Sequence, residues 1–186
     1  MKERPLIVTT ELIPKILDGT KTQTRRVIKP QPRYHPAPVY EWKGNPYSPD
    51  WFIKLCPYGQ VGDSLYIKEA FAQDGDRRIY YKLDYPDEEI PFDLAYPGCR
   101  AFANWRSPIF MPRWASRITL EITGIRVERL QEIRTEDIMA EGLESTIPYQ
   151  GFVHRFKKLW NSLNAKYPWE SNPWVWVIEF KREMPG

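Results

Sequence analysis

Between Gly19 and Arg26 the chain reads Gly-Thr-Lys-Thr-Gln-Thr-Arg-Arg, which crowds hydroxyls and cations into one short stretch. Apolar residues flank it, Ile13, Ile16 and Leu17 before and Val27 and Ile28 after, so its polar groups are expected at the mouth of a core. Binding and catalytic groups commonly sit there, on short loops held by rigid elements. Lys21 and Thr24 have opposite parity: a strand would send their side chains to opposite faces, whereas a turn across these residues would bring amine and hydroxyl together. An amine beside a hydroxyl suggests an activated nucleophile. A threonine hydroxyl needs a base at neutral pH, and a lysine serves once burial or a neighbouring cation lowers its pKa. Arg25 and Arg26 are the neighbouring cations. The same residues also read as a solvated basic turn that binds nothing or only phosphate.

The elements that must position this stretch follow from periodicity. Pro5 to Thr9 reads as a strand, and Thr10 to Asp18 as a helix capped at Thr10, with Pro14 tolerated in its first turn. Asp18-Gly19 ends that helix, and a second strand runs from Arg25 to Ile28. Ser64 to Phe71 alternates as a strand with Leu65 and Ile67 inward, and Glu69 within it is either a half-exposed rim residue and possible pocket wall or a buried group with a partner. Arg78 to Lys82 is a hairpin strand. Arg117 to Leu130 is the longest strand signal, broken at Gly124, where a bulge would help to curl a sheet into a barrel. Thr135 to Gly142 reads as a short helix and Phe152 to Lys166 as an amphipathic one, with Phe152, Phe156, Leu159, Trp160 and Leu163 on one stripe. Trp174 to Phe180 has the β-branched and aromatic density of a central strand.

Two stretches break this pattern. Residues 29–60 alternate prolines with Tyr34, Tyr40, Trp42, Tyr47, Trp51 and Phe52, and residues 83–106 are acidic at first and aromatic later, ending near Trp105. Both read as irregular insertions in a single domain spanning 1–186. Interleaved aromatics and cations form stacking platforms for bases, and equally serve as apolar staples that order a proline-rich loop.

Composition narrows the class. The chain has 186 residues, enough for one sizeable core, and 42% hydrophobic content with 15% aromatics is that of a globular protein. A net charge of +3 permits a nucleic-acid partner without demanding one. Cys56 and Cys99 stand apart and form no metal-ligand spacing with His35 or His154, so no metal and no cofactor are expected. No run approaches a membrane span and no signal-type segment opens the chain, which points to a cytoplasmic protein without a membrane partner.

The order of strand, helix, Gly19-Thr20-Lys21-Thr22-Gln23-Thr24-Arg25, Gly62-Asp63 turn, long bent strand and terminal Trp176-Val177-Ile178-Glu179-Phe180 resembles the ASCH domain family of PUA-like proteins. Gly19, Lys21, Thr24 and Arg26 match that family's motif at the end of the first helix. Thr-Gln-Thr-Arg-Arg and Asn172-Pro173-Trp174-Val175-Trp176 look most like its longer, aromatic-rich phage and prophage members. The resemblance implies an α+β fold: a small mixed β-barrel with flanking helices. It also implies a possible activity, since small bacterial members are amidohydrolases that remove acetate from 4-acetylcytidine with a lysine and a threonine in this loop and a glutamate in the helix after the long strand. Lys21 and Thr24 match the first two; Glu141 is the candidate for the third, with Glu144 and Glu136 as weaker choices. Both insertions depart from those small enzymes. Gly19, Arg25, Arg26, Glu69, Trp42, Trp51 and Trp105 are the candidate substrate-binding residues. The partner is then a nucleoside or, if the domain is a non-catalytic binding module, RNA; a phage assembly role is a third reading.

Overall fold

The computed structural model describes residues 2–35, 39–74, 77–86, 89–91, 100–102, 104–143 and 149–183. The chain runs through β1 (Glu3–Ile7), a 3-10 turn, α1 (Ile13–Leu17), β2 (Gln23–Val27), β3 (Arg33–His35), β4 (Val39–Trp42), β5 (Asn45–Tyr47) and α2 (Pro49–Ile53). It continues with β6 (Ser64–Lys68), β7 (Phe71–Gln73), β8 (Ile79–Tyr81), β9 (Glu89–Pro91), β10 (Arg100–Phe102), β11 (Thr119–Arg129), α3 (Thr135–Ala140), α4 (Tyr149–Leu163) and β12 (Trp174–Arg182). This is a mixed α+β fold built on one five-stranded sheet in the order β1-β6-β11-β12-β2, with smaller sheets beside it. Among the described residues only the β1-β6 pair of this sheet is parallel. Among the described residues no helix is long and apolar enough to cross a membrane.

β12 explains why its sequence is apolar at nearly every position. Trp174, Trp176, Ile178 and Phe180 join one core with Leu6, Ile13, Leu65, Ile67, Leu120 and Ile122, whereas Val175 and Val177 face a second core with Phe152, Phe156 and Trp160 of α4. A strand buried on both faces has no solvated side to carry polar residues. The break expected at Gly124 is a register shift in the β11-β12 ladder, between Ile122 and Gly124. The long strand pairs with β6 through Thr119–Glu121 on one edge and with β12 from Leu120 to Arg129 on the other, the shift falling within the β12 ladder.

The expected closed barrel is not completed by main-chain pairing. Among the described residues no ladder joins the two edge strands, β1 and β2, and the opening between them is spanned instead by a side chain: Arg26 Nη2 donates to the Ile7 carbonyl at 2.8 Å. The first helix also differs from expectation. It divides into a 3-10 turn, Thr10–Leu12, and the short α1, so the residue before it is Thr9, whose side chain makes no cap bond. Pro14 sits in the first turn of α1, where its missing N–H costs nothing.

The first insertion is more regular than its sequence suggests. β3, β4 and β5 make a three-stranded antiparallel sheet, and α2 drives Phe52 into the main core, stacked on Tyr40 at 4.7 Å and on Trp176 at 5.1 Å. Offset aromatic stacking of this kind adds to simple area burial, which explains how a proline-rich stretch holds a fixed place. Of the second insertion, residues 87–88, 92–99 and 103 lie outside the described residues, as does Cys99.

Candidate active site between the sheet edges

The loop around Lys21 is pinned by its backbone. Asp18 closes α1, Gly19 takes a positive φ of 80°, and the Lys21 amide donates to the Lys15 carbonyl. The Thr22 amide donates to Ala140 at 2.9 Å and its carbonyl accepts from the Phe180 amide at 2.9 Å, so the loop is tied to both α3 and β12. Strand pairing begins at Gln23, opposite Glu179, and places Thr24 opposite Ile178, Arg25 opposite Val177 and Arg26 opposite Trp176. Thr24 is therefore a strand residue and not part of a turn. Thr24 and Arg26 share the face of Ile178 and Trp176; Gln23 and Arg25 take the other.

On that other face lies a buried ionic cluster. Lys21 Nζ donates to the Gln23 carbonyl at 2.8 Å, the Glu141 carbonyl at 2.9 Å and Glu141 Oε2 at 2.8 Å. Arg25 reaches Glu128 Oε1 at 2.6 Å, Asp137 Oδ2 at 3.4 Å and Glu141 Oε1 at 3.2 Å. Arg126 joins Asp137 at 2.6 Å, Glu128 at 3.0 Å and Glu179. Burial is the main influence that pushes the Lys21 ammonium below the ordinary lysine range; Glu141 opposes it, and Arg26 and Arg25 add to it. Burial works against ionisation of Asp137, yet the Arg134 amide, Arg25, Gln23 and Arg126 outweigh it and hold that carboxyl below its usual range.

Lys21, Thr24, Arg25, Arg26 and Glu141 line one cleft of about 260 Å³, whose opposite wall is Ile7 to Thr9 of the β1 side and Phe156, Leu159, Trp160 and Leu163 of α4. The parity argument holds and still does not separate the candidates: β2 is an edge strand, and side chains from both of its faces reach a cleft that opens along that edge. Among the described hydrogen bonds none joins Lys21 to Thr24. The Thr24 hydroxyl accepts instead from Arg26 Nη1 at 2.8 Å. No carboxylate pairs with Arg26 among the described residues; its other acceptors are the Arg25 and Ile7 carbonyls.

The remaining candidates lie elsewhere. Gly19 is exposed at the end of α1 and does not line the cleft. Glu69 is buried with a partner rather than half-exposed at a rim: both its oxygens accept from Arg117 at 3.0 Å, and Arg117 also holds Asp84 of the second insertion. Burial raises the Glu69 pKa against the pull of Arg117. Trp42 donates to the Pro30 carbonyl at 2.7 Å and packs on the main core, Trp51 is exposed under Lys54, and Trp105 packs near Tyr85. None of the three lines the cleft. Glu136 is exposed, and Glu144 lies outside the described residues. Sequence reasoning passed over Glu128, Asp137 and Arg126; the trace of Arg126 and Glu128 was charge at alternate positions of β11, which a solvated strand face shows equally, and that of Asp137 was an acidic residue in the first turn of α3, common at any helix start.

Gly142 ties helix end to lysine. Its φ is +90°, and a Cβ there would lie 3.2 Å from the Cβ atoms of Lys15 and Lys21. Gly142→Ala is expected to cost about 1–3 kcal/mol from backbone strain and to lower any activity that depends on Lys21, read by denaturant unfolding and by rate. Unchanged stability would show that the loop gives way freely.

No family model matches the chain, and no curated protein matches it. Solved structures similar to it include the hypothetical protein PH0355, at 13% identity over 98% of this chain and 100% of that one, with a TM-score of 0.46. An ASCH domain from Lactobacillus crispatus is similar at 10% identity over 97% of this chain and 79% of that one, TM-score 0.44. A protein from Enterococcus faecalis described by the family model DUF984 is similar at 10% identity over 98% and 80%, TM-score 0.44.

Proposed function

We propose that this chain is an ASCH-type amidohydrolase, its sheet curled in the PUA-like manner, that removes an acyl group from the exocyclic nitrogen of a modified nucleoside or nucleobase such as 4-acetylcytidine. The observation that carries the reading is the convergence of Arg26, Thr24, Lys21 and Glu141 on one cleft, with a guanidinium that has no carboxylate partner among the described residues donating to the threonine hydroxyl.

The chemistry is acyl transfer in two stages. A protonated Lys21 supplies three N–H donors, matched by its three acceptors. A neutral amine supplies two, so deprotonation frees one acceptor and leaves a lone pair to take the Thr24 proton. Thr24 Oγ1 then bonds to the acyl carbon, Arg26 stabilises the oxyanion, and Lys21 returns the proton to the leaving nitrogen as the C–N bond breaks. Water attacks the resulting threonine ester, giving carboxylic acid and free Thr24. Glu141 acts by orientation: its carboxylate oxygens already accept from Lys21 and Arg25, which leaves neither placed to carry a proton to the leaving group. The apolar wall of Phe156, Leu159 and Leu163 offers surface to a flat base.

An RNA-binding module draws less support, because Lys21 and Arg25 are buried and already compensated by carboxylates, and a phosphate would have to displace those pairs.

The reading is tested by acetate release from 4-acetylcytidine. The rate as kcat/KM should rise with pH and level off above the depressed lysine pKa, below the ordinary value of 10.5, since only the neutral amine accepts the proton. Glu141→Gln should slow turnover about a hundredfold or more by misdirecting Lys21. A protein that binds the nucleoside without releasing acetate at any pH would overturn the assignment.

A further inference from the structure

Arg26 also borders a second cavity. Beside β1 a groove of about 320 Å³ is lined by Leu6, Ile7, Arg26, Tyr58, Lys68 and Ile109, with Pro5 completing it. Among the described residues no carboxylate lines this groove. Lys68 donates to the Ile109 carbonyl, and among the described residues neither Lys68 nor Arg26 pairs with a carboxylate. Tyr58 stands beside Arg26, and burial raises its pKa, so its phenol remains a neutral O–H donor. The contrast with the neighbouring cleft is chemical. There each buried cation of the ionic cluster has carboxylate partners; here two cations and a phenol line one groove with apolar walls and, among the described residues, no carboxylate. Such a place favours an anion that brings its own charge, held by charge-assisted hydrogen bonds. Ile7 and Arg26 line both cavities, so the groove adjoins the cleft across the Arg26–Ile7 hydrogen bond.

We propose that this groove is an anion subsite that takes a phosphate attached to the substrate whose acylated base lies in the cleft. The proposal rests on the amidohydrolase reading and narrows it: the substrate is a nucleotide, free or at a strand position, in preference to a nucleoside. The phosphate is a terminal phosphomonoester or a backbone phosphodiester, which share the chemistry Arg26 and Lys68 recognise.

Calorimetric binding and acetate release are measured with 4-acetylcytidine, its 5′- and 3′-monophosphates, and a dinucleotide carrying the same base. At least one phosphorylated ligand is expected to bind about tenfold more tightly than the nucleoside. Lys68→Ala should remove most of that advantage and leave nucleoside binding and turnover unchanged; Tyr58→Phe should reduce it less. A gain confined to a monophosphate identifies a terminal group, and an equal gain for the dinucleotide identifies a backbone phosphate. Equal affinity for all ligands, or an advantage untouched by Lys68→Ala, overturns the subsite. Acetate release without phosphate preference sinks the subsite alone, whereas Lys68-dependent preference without acetate release sinks the hydrolase reading alone.

Discussion

Thr24→Ala is expected to abolish acetate release from 4-acetylcytidine, by about four orders of magnitude or more, while the fold is kept. Thr24 is only 2% exposed, but the change removes one hydroxyl and one methyl at an edge strand, leaving the β2-β12 ladder intact. Its partner, Arg26 Nη1, retains the Arg25 carbonyl at 3.0 Å, so no cation is orphaned. Thr24→Ser, which restores a hydroxyl on the same backbone, should keep part of the rate. Lys21→Ala should be as severe as Thr24→Ala, because groups that act as one unit are not additive. Lys21→Arg should not rescue it, since a guanidinium is no base at neutral pH. A Thr24→Ala protein that still releases acetate at more than about a tenth of the normal rate would remove the threonine from the mechanism.

Arg25→Ala is expected to destabilise the protein by about 3–5 kcal/mol, read by urea unfolding. The Arg25 side chain is 1% exposed and touches Glu128, Asp137 and Glu141, whose side chains are 13%, 8% and 9% exposed. Deleting the cation leaves the carboxylates facing one another with Lys21, Arg126 and the exposed Arg134 to hold them, and an uncompensated buried charge is the costly half of a broken pair. The pH dependence has a fixed sign. Asp137 has a folded pKa below its unperturbed 3.8, so its contribution is complete above that value and is lost as pH falls through the folded one. The stability gap between the two proteins should therefore narrow in acid. A loss under about 1 kcal/mol at neutral pH would mean that Arg126 and Lys21 re-pair with the freed carboxylates.

These two substitutions act on opposite faces of one strand, and that separates what the sequence determined from what it left open. Local pattern was enough for the strand from Trp174, the amphipathic stripe of Phe152, Phe156 and Trp160, the glycine break at Gly124 and the short helix that begins at Thr135. Each is a matter of side-chain period or backbone freedom within a few residues. The motif was also local, so Lys21 and Thr24 could be named together, and so could the parity that divides them. Which groups meet Lys21 was not local. Its carboxylate partner is 120 positions away, brought in because α3 ends where the Thr22 amide binds the Ala140 carbonyl. Nor does parity reveal that β2 lies at the edge of the sheet, which is what lets Lys21 and Thr24 share a cleft. The aromatic insertion shows the same limit. Trp42, Trp51 and Phe52 are alike in composition, and only packing sends Phe52 into the core while leaving Trp51 61% exposed. Burial and pairing between distant segments depend on the sum of contacts over the whole fold, which no window of sequence contains.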